Sequence, residues 1–352
     1  MKSKKLTILA FLILLLAVGP SFGQRPLKYS KEEPIRLDFD MENTAQPKPI
    51  ATGYLYDLID GTIFQPVRRS VDVSRIGRRK KEAVNVNVLD EVPNSSWFTN
   101  RIGTTDLSVD EVRRGPNTTN GPKSGKLTVL RGKTIGVTPG FWVKDETGEI
   151  YILKFDPPEY PELATGAEMM GTKLFHAFGY NVPENHIFRF RREDLEIADG
   201  AKFTNEKNKK AKMTAADLDL ILSRVAQQDD GRFRAVASRL IKGKPIGGFG
   251  FSGRRKDDPN DIIPHEIRRD VRALKLFAAW TEHNDLRVGN TLDFFVKEDN
   301  REFIRHYLID FGSTFGSDSI QPNLPEAGRE HGLDFDEAAK VLLSAGTYQP
   351  GW

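Results

Sequence analysis

Three oxygen-bearing side chains of the kind that hold a hard divalent cation fall within one stretch, residues 280–316, which reads WTEHNDLRVGNTLDFFVKEDNREFIRHYLIDFGSTFG. Asp285 stands five residues before Asn290, and Asp310 heads an Asp-Phe-Gly. Mg²⁺ prefers oxygen ligands and is commonly held by one or two protein groups plus substrate phosphates. Asn290 and Asp310 could be those two groups.

The elements that must position them follow from alternation. Leu292, Phe294 and Val296 share one face of a first strand. Ile304, His306, Leu308 and Asp310 share one face of a second, and Glu298-Asp299-Asn300-Arg301 makes the turn between them. A carboxylate following a buried strand sits at its open end, where Gly312 would let the backbone bend. The alternative is a plain hairpin in which Asp285 and Asn290 merely cap turns.

With those residues in view, HNDLRVGN resembles the protein-kinase catalytic loop, and Asp310-Phe311-Gly312 resembles the kinase metal-binding triplet. The resemblance implies that Asp285 accepts the acceptor hydroxyl's proton. It also implies that Asn290 and Asp310 bind metal, that Arg287 faces phosphate, and that His283 orients the loop. Asn284 replaces the loop arginine, and the interval from Asp285 to Asp310 is long, which points to the atypical HipA-type and phosphatidylinositol-kinase-like branches. The chain is also similar to a group of uncharacterised bacterial secreted proteins sharing a Trp-x-x-His-x-Asp core. The implied fold is α+β and bilobal: a strand-rich lobe over residues 122–245 with one helix, a small helical lobe over 246–352, and an N-terminal extension over 24–121.

Upstream, residues 126–131, 141–144 and 149–155 alternate apolar with polar and read as three strands. Gly132, Gly136 and Gly140 punctuate the first connection; such a loop can bring backbone N–H groups to phosphates, although glycines in turns more often serve backbone angles alone. Lys154, near the end of the third strand, takes the place the resemblance reserves for a lysine on the α/β phosphates. The next helix, from about Thr165 to Gly179, carries Ala167, Met170, Leu174 and Phe178 on one stripe, with Thr165 as N-cap and Gly179 and Pro183 as stops. Glu168 lies beside that stripe and could hold the Lys154 ammonium; Glu162 is the runner-up.

Residues 186–191 read as a strand, 207–212 as a basic loop, and Thr214 as the cap of a helix with Leu218, Ile221, Leu222 and Val225 inward. Residues 232–241 are strand-like. The resemblance makes their end a hinge whose backbone groups, between Ala237 and Ile241, would read adenine. A helix starting at Asp261 and Pro264, with Ile267, Val271, Leu274 and Ala278 inward, then delivers Trp280.

Residues 1–23 read as a cleavable export signal: Lys2, Lys4 and Lys5, then an apolar run from Leu6 to Val18, then Ser21-Phe22-Gly23. Removing them lowers the 52 basic residues by three, to match the 49 acidic ones, so charge offers no general case for nucleic-acid binding. The expected setting is secreted or periplasmic, without a stable membrane anchor after cleavage. No Cys is present, which excludes disulfides, thiolate metal sites and a Cys nucleophile. The six His show no HExxH spacing. Between residues 24 and 121, short strands are expected at 53–58 and 84–88, a solvated turn at 78–81, and the aromatic pair Trp97-Phe98 anchored in a groove. The function expected is phosphoryl transfer with Mg²⁺ or Mn²⁺, from ATP or a related nucleotide to an unknown acceptor. A kinase-like scaffold without chemistry is the competing expectation.

Overall fold

The computed structural model describes residues 40–50, 82–87, 90–133, 139–204, 209–323 and 343–344. The export-signal reading, the strand expected at 53–58, the turn at 78–81 and Gly136 lie outside them. Residues 84–87, where a further strand was expected to begin, are irregular.

The described elements begin with a short helix, α1 (Val109–Arg114), capped by Ser108 and Glu111 in a reciprocal capping box. Three strands follow, β1 (Leu127–Lys133), β2 (Gly140–Lys144) and β3 (Ile150–Phe155), then α2 (Leu163–Phe178). β4 (Asn185–Phe190), β5 (Leu195–Thr204), β6 (Lys210–Lys212), α3 (Ala215–Leu222), β7 (Phe233–Arg239) and β8 (Lys244–Gly247) come next. The chain continues through α4 (Arg269–Trp280) into the hairpin β9 (Thr291–Glu298) and β10 (Arg301–Leu308). This is an α+β architecture, rich in strands and sparing in helices.

Seven strands form one mixed sheet in the order β4-β7-β3-β2-β1-β5-β6. Every neighbouring pair is antiparallel except β1 with β5. In β3, Tyr151, Leu153 and Phe155 are buried in a core with Leu127, Val129, Phe141 and the α3 residues Leu218 and Ile221. Period-two alternation therefore sends Ile150, Ile152 and Lys154 to the opposite face, where α2 packs. Gly132 lies within β1, where an added Cβ would meet Ile221 Cδ1 at 2.9 Å, so its role is close approach to α3. The basic segment expected as a loop instead supplies β6, paired to β5.

A second sheet has the order β10-β9-β8. Its hairpin closes through Asp299 and Asn300, both left-handed at φ 48° and 62°, with Glu298 paired to Arg301. Two positive-φ residues make the type I′ turn that matches strand twist, and Asn and Asp tolerate it best among residues with a Cβ. Phe294, Val296 and Phe303 are buried on one face, while Ile304, His306 and Leu308 are buried on the other. His306 is a core residue: its Nδ1 lies 2.7 Å from Asp293 Oδ1 and its ring stacks on Trp97 at 3.6 Å.

Two helix boundaries differ from the expectation. α2 starts at Leu163, and Thr165 is inside its first turn; the Asp156 carboxylate at the end of β3 accepts its N–H (2.8 Å) and hydroxyl (2.6 Å). A carboxylate at the end of the preceding strand thus does the capping that a Thr at the helix start was expected to do. α4 starts at Arg269, because residues 265–267 form a 3₁₀ turn first and Arg268 is extended.

Candidate functional site

Lys154 projects from β3 towards two carboxylates contributed by different elements. Its Nζ donates to Glu168 Oε1 of α2 at 3.1 Å and to Asp310 Oδ1 beyond β10 at 2.9 Å. Glu168, read from the sequence as the carboxylate that could hold Lys154, is only 2% exposed and does meet it. Burial pushes its carboxyl pKa up while Lys154 and Asn185 pull it back. Burial also works against the Lys154 ammonium, but Asp310 and Glu168 outweigh it and hold its pKa above the usual lysine range. Glu162, the runner-up, is exposed and pairs with Arg234 at 3.3 Å.

The buried face of α2 is rotated from the expected stripe. Ala164, Ala167, Glu168, Gly171, Thr172 and Phe175 are buried, whereas Met170 is half exposed. The reason is a long-range contact: a Cβ on Gly171 would stand 2.6 Å from Phe311 Cβ. The missing side chain lets the helix settle on Phe311, which is fully buried and packs against Phe175 and His283.

Asp310, not Gly312, carries the bend, with φ 66°. A left-handed Asp following a buried strand is a strained position of the sort that clusters at functional sites. It breaks the alternation after Leu308 and aims the carboxylate at Lys154. Gly312 has an ordinary φ and is small for another reason, since an added Cβ would lie 3.1 Å from Ser319 Oγ.

Asp285 and Asn290 form the other half. Asn290 Nδ2 donates to both the backbone O and Oδ2 of Asp285, each at 2.8 Å. Arg287 Nε lies 2.7 Å from Asp285 Oδ1, so this arginine meets the carboxylate beside it. Burial raises the Asp285 pKa, Arg287 and Asn290 lower it, Asp310 raises it further, and the net direction is up. Asn290 sits in a 3₁₀ turn at the start of β9, and the Ile309 N–H donates to its carbonyl at 3.0 Å. That bond joins the two halves, because Asp310 follows Ile309. His283 is buried behind them, with Nδ1 3.3 Å from Ser313 O, and burial depresses its pKa to about 4. It stays neutral at pH 7.

Of the glycine-loop candidates, Gly140 opens β2 directly opposite Lys154, and a Cβ there would meet Leu153 O at 2.7 Å. Ile241 lies past the end of β7, half-buried against the β9–β10 cluster, and its side chain serves packing. Sequence reasoning missed Asn185, whose Nδ2 lies 3.1 Å from Glu168 Oε1, and Asp156, which anchors the start of α2. Asn185 had no local signal, because an Asn opening a strand is unremarkable until its neighbour across space is known.

Residues 97–101, upstream of β1, lie against these elements. Trp97 is buried between His306, Phe249 and His265, with the Arg268 guanidinium 4.8 Å from its ring. Phe98 faces Tyr180, and Gly179 at the end of α2 leaves room for the Phe98 ring with φ 118°. The Thr99 N–H donates to Gly179 O, and Arg101 donates to His176 O at 2.8 Å. The Trp97-Phe98 pair thus fills a groove made by α2, α4 and β10.

Comparison with protein-family models finds no match, and neither curated proteins nor solved structures contain a match to this chain. Among the described residues, no helix is long and apolar enough to cross a membrane, and no group of three or more His, Cys, Asp or Glu is placed to hold a metal ion.

Proposed function

We propose that this chain is an exported, kinase-like phosphotransferase that moves a phosphoryl group from ATP or a related nucleotide to a hydroxyl-bearing acceptor. One observation carries the reading: Lys154 on the third strand meets both Glu168 of the following helix and Asp310 of the Asp-Phe-Gly. A strand lysine paired with a glutamate of the following helix, beside an Asp-Phe-Gly aspartate, is the set of groups a kinase gathers around nucleotide and metal. The sheet order supports the same reading, since β1, β2 and β3 are consecutive neighbours and β7 lies beside β3, its far end leading towards Ile241.

The donor set suits Mg²⁺ or Mn²⁺. Asp310 is about half exposed, and Asn290 commits its amide nitrogen to Asp285, which leaves the amide oxygen as the group for a cation. Two protein ligands are enough when phosphates supply the rest, so a three-residue cluster is not required. The ion would neutralise phosphate charge. Lys154 would bind phosphate oxygens, and Asp285 would take the acceptor's proton as its oxygen bonds to phosphorus and the nucleoside diphosphate departs. Arg287 would have to turn from Asp285 to face a phosphate, which would leave the Asp285 carboxylate to the acceptor hydroxyl.

A scaffold without chemistry is the second reading, and a specific observation favours it. Arg287 faces Asp285, and Lys154, shared with Glu168, faces Asp310, so Asp285 and Asp310 coexist without a metal. Two experiments decide. A nucleotide that binds only the native state raises Tm; ATP should do so only with Mg²⁺ or Mn²⁺, and Asp310→Ala should abolish the effect. Transfer of labelled phosphate to any acceptor, the protein included, should vanish in Asp285→Ala. Metal-dependent binding with no transfer across a broad acceptor screen selects the scaffold, and a response indifferent to metal rejects the site.

A further inference from the structure

The Lys154–Glu168 pair depends on a third residue outside both elements. Asn185 opens the edge strand β4 and is 1% exposed. Its Nδ2 donates to Glu168 Oε1 at 3.1 Å and to Thr172 Oγ1 at 2.7 Å, side chains one helical turn apart on the inner face of α2. An ionised carboxylate only accepts, so Glu168 takes the NH₂ side of the amide, and Asn185 Oδ1 is buried with no hydrogen-bond partner. Glu168 Oε1 therefore receives two donors, Lys154 and Asn185, while Oε2 is buried with no hydrogen-bond partner.

Asn185 is itself held from both sides. On one side it pairs with Ser238 of β7. On the other, where an edge strand would be open, the Asn117 side chain stands in for a neighbouring strand: Asn117 Oδ1 accepts the Asn185 N–H at 3.2 Å, and Asn117 Nδ2 donates to Asn185 O at 2.7 Å. The amide that reaches Glu168 is thus fixed to the sheet that also carries Lys154.

We infer that Asn185 is a positioning residue, which locks α2 to the sheet and fixes the Glu168 carboxylate where it meets Lys154. The inference rests on the phosphotransferase reading only for its consequence on nucleotide affinity; the pairing itself is tested separately. Without the Asn185 amide, Glu168 keeps a single donor in a site closed to water, and the helix loses the bonds that hold two of its turns to β4. Asn185 touches no reacting atom and acts through Glu168.

The test uses the full chain with ¹⁵N-labelled lysine. An ammonium held by fixed acceptors gives an observable Nζ–H resonance, assigned to Lys154 by its absence in Lys154→Arg. Wild type and Thr172→Val, which keeps the Asn185–Glu168 bond, should both show it. Asn185→Asp, which sets a carboxylate against Glu168, and Asn185→Ala should lose it while circular dichroism stays unchanged. Metal-dependent ATP affinity should fall about tenfold in Asn185→Ala, the scale of one lost hydrogen bond to a charged group. If Asn185→Asp does not fold, Asn185→Ala decides. Persistence of the Lys154 resonance in a folded Asn185 variant overturns the inference, as does its absence from the wild type. If the resonance responds as expected but even the wild type ignores ATP and metal, the positioning role stands and the phosphotransferase reading falls.

Discussion

Asp310 meets Lys154 at 2.9 Å across 156 positions of chain, a direct contact between the third strand of the large sheet and the segment after the small one. The two acids on this lysine are not equivalent. Glu168 is buried, while Asp310 is about half exposed. Removing a partner from a buried charge costs about 3–5 kcal/mol, whereas an exposed pair is worth at most about 1 kcal/mol. Lys154→Ala should therefore lower unfolding free energy several-fold more than Asp310→Ala. The double variant Lys154→Met, Glu168→Leu should recover much of the loss. Urea denaturation measures all three, and equal effects of the two single substitutions would contradict the unequal burial.

Gly171 is where helix propensity and packing disagree. Alanine in a helix interior is favoured over glycine by about 1 kcal/mol, yet its Cβ would stand 2.6 Å from Phe311 Cβ, and overpacking costs about 1–3 kcal/mol. Neither atom is the far end of a flexible chain, so the clash should win. Gly171→Ala is expected to lower Tm by a few degrees and to separate Glu168 from Lys154. A rise in Tm would show that α2 is free to shift.

Trp97 joins the extension to the hairpin core. Trp→Ala at a buried site costs about 3–5 kcal/mol, and stacking on His306 and Arg268 adds to what is lost. Trp97→Ala should be among the most destabilising single changes in this chain. Phe98→Ala, at a half-buried position, should cost less. Limited proteolysis with mapping of the first cuts should find the 90–105 segment released early in Trp97→Ala.

Glu184, the neighbour of Asn185 in the chain, gives a pH signature. Burial acts to raise its pKa, but hydrogen bonds from Thr118, Thr119 and Arg239 prevail and depress it to about 2. A carboxyl whose pKa is lower folded than unfolded contributes stability above its unfolded pKa of about 4.5 and loses it as pH falls towards about 2. Glu184→Gln should be less stable than wild type at pH 7, and the gap should close between about pH 4.5 and 2. Unfolding free energies across that range provide the check.

Asp285 and Arg287 make a separable pair. Burial raises the Asp285 pKa and Arg287 lowers it, so Arg287→Met should raise it further. Under the phosphotransferase reading, the acid limb of the kcat/KM profile, which reports the free enzyme where Arg287 still faces Asp285, should then move to higher pH, since transfer needs the ionised base. Asp285→Asn should abolish transfer while leaving metal-dependent stabilisation by ATP in place. An unshifted acid limb in Arg287→Met would remove Asp285 from the role of base.

By itself the sequence determined what local rules govern. Alternation placed β1, β2, β3, β9 and β10, the Thr214 cap began α3, Gly179 ended α2, and the spacing around Asp285, Asn290 and Asp310 marked the candidate site. The tertiary structure decided what depends on partners outside the element itself. It set which face of α2 is buried, through Gly171 and Phe311. It set where that helix starts, through Asp156, and which glutamate reaches Lys154. It also moved the bend from Gly312 to Asp310 and brought Asn185 to Glu168. A strand's period is written in its own residues, whereas the direction of a buried carboxylate is set by whichever donor the rest of the chain brings within 3 Å.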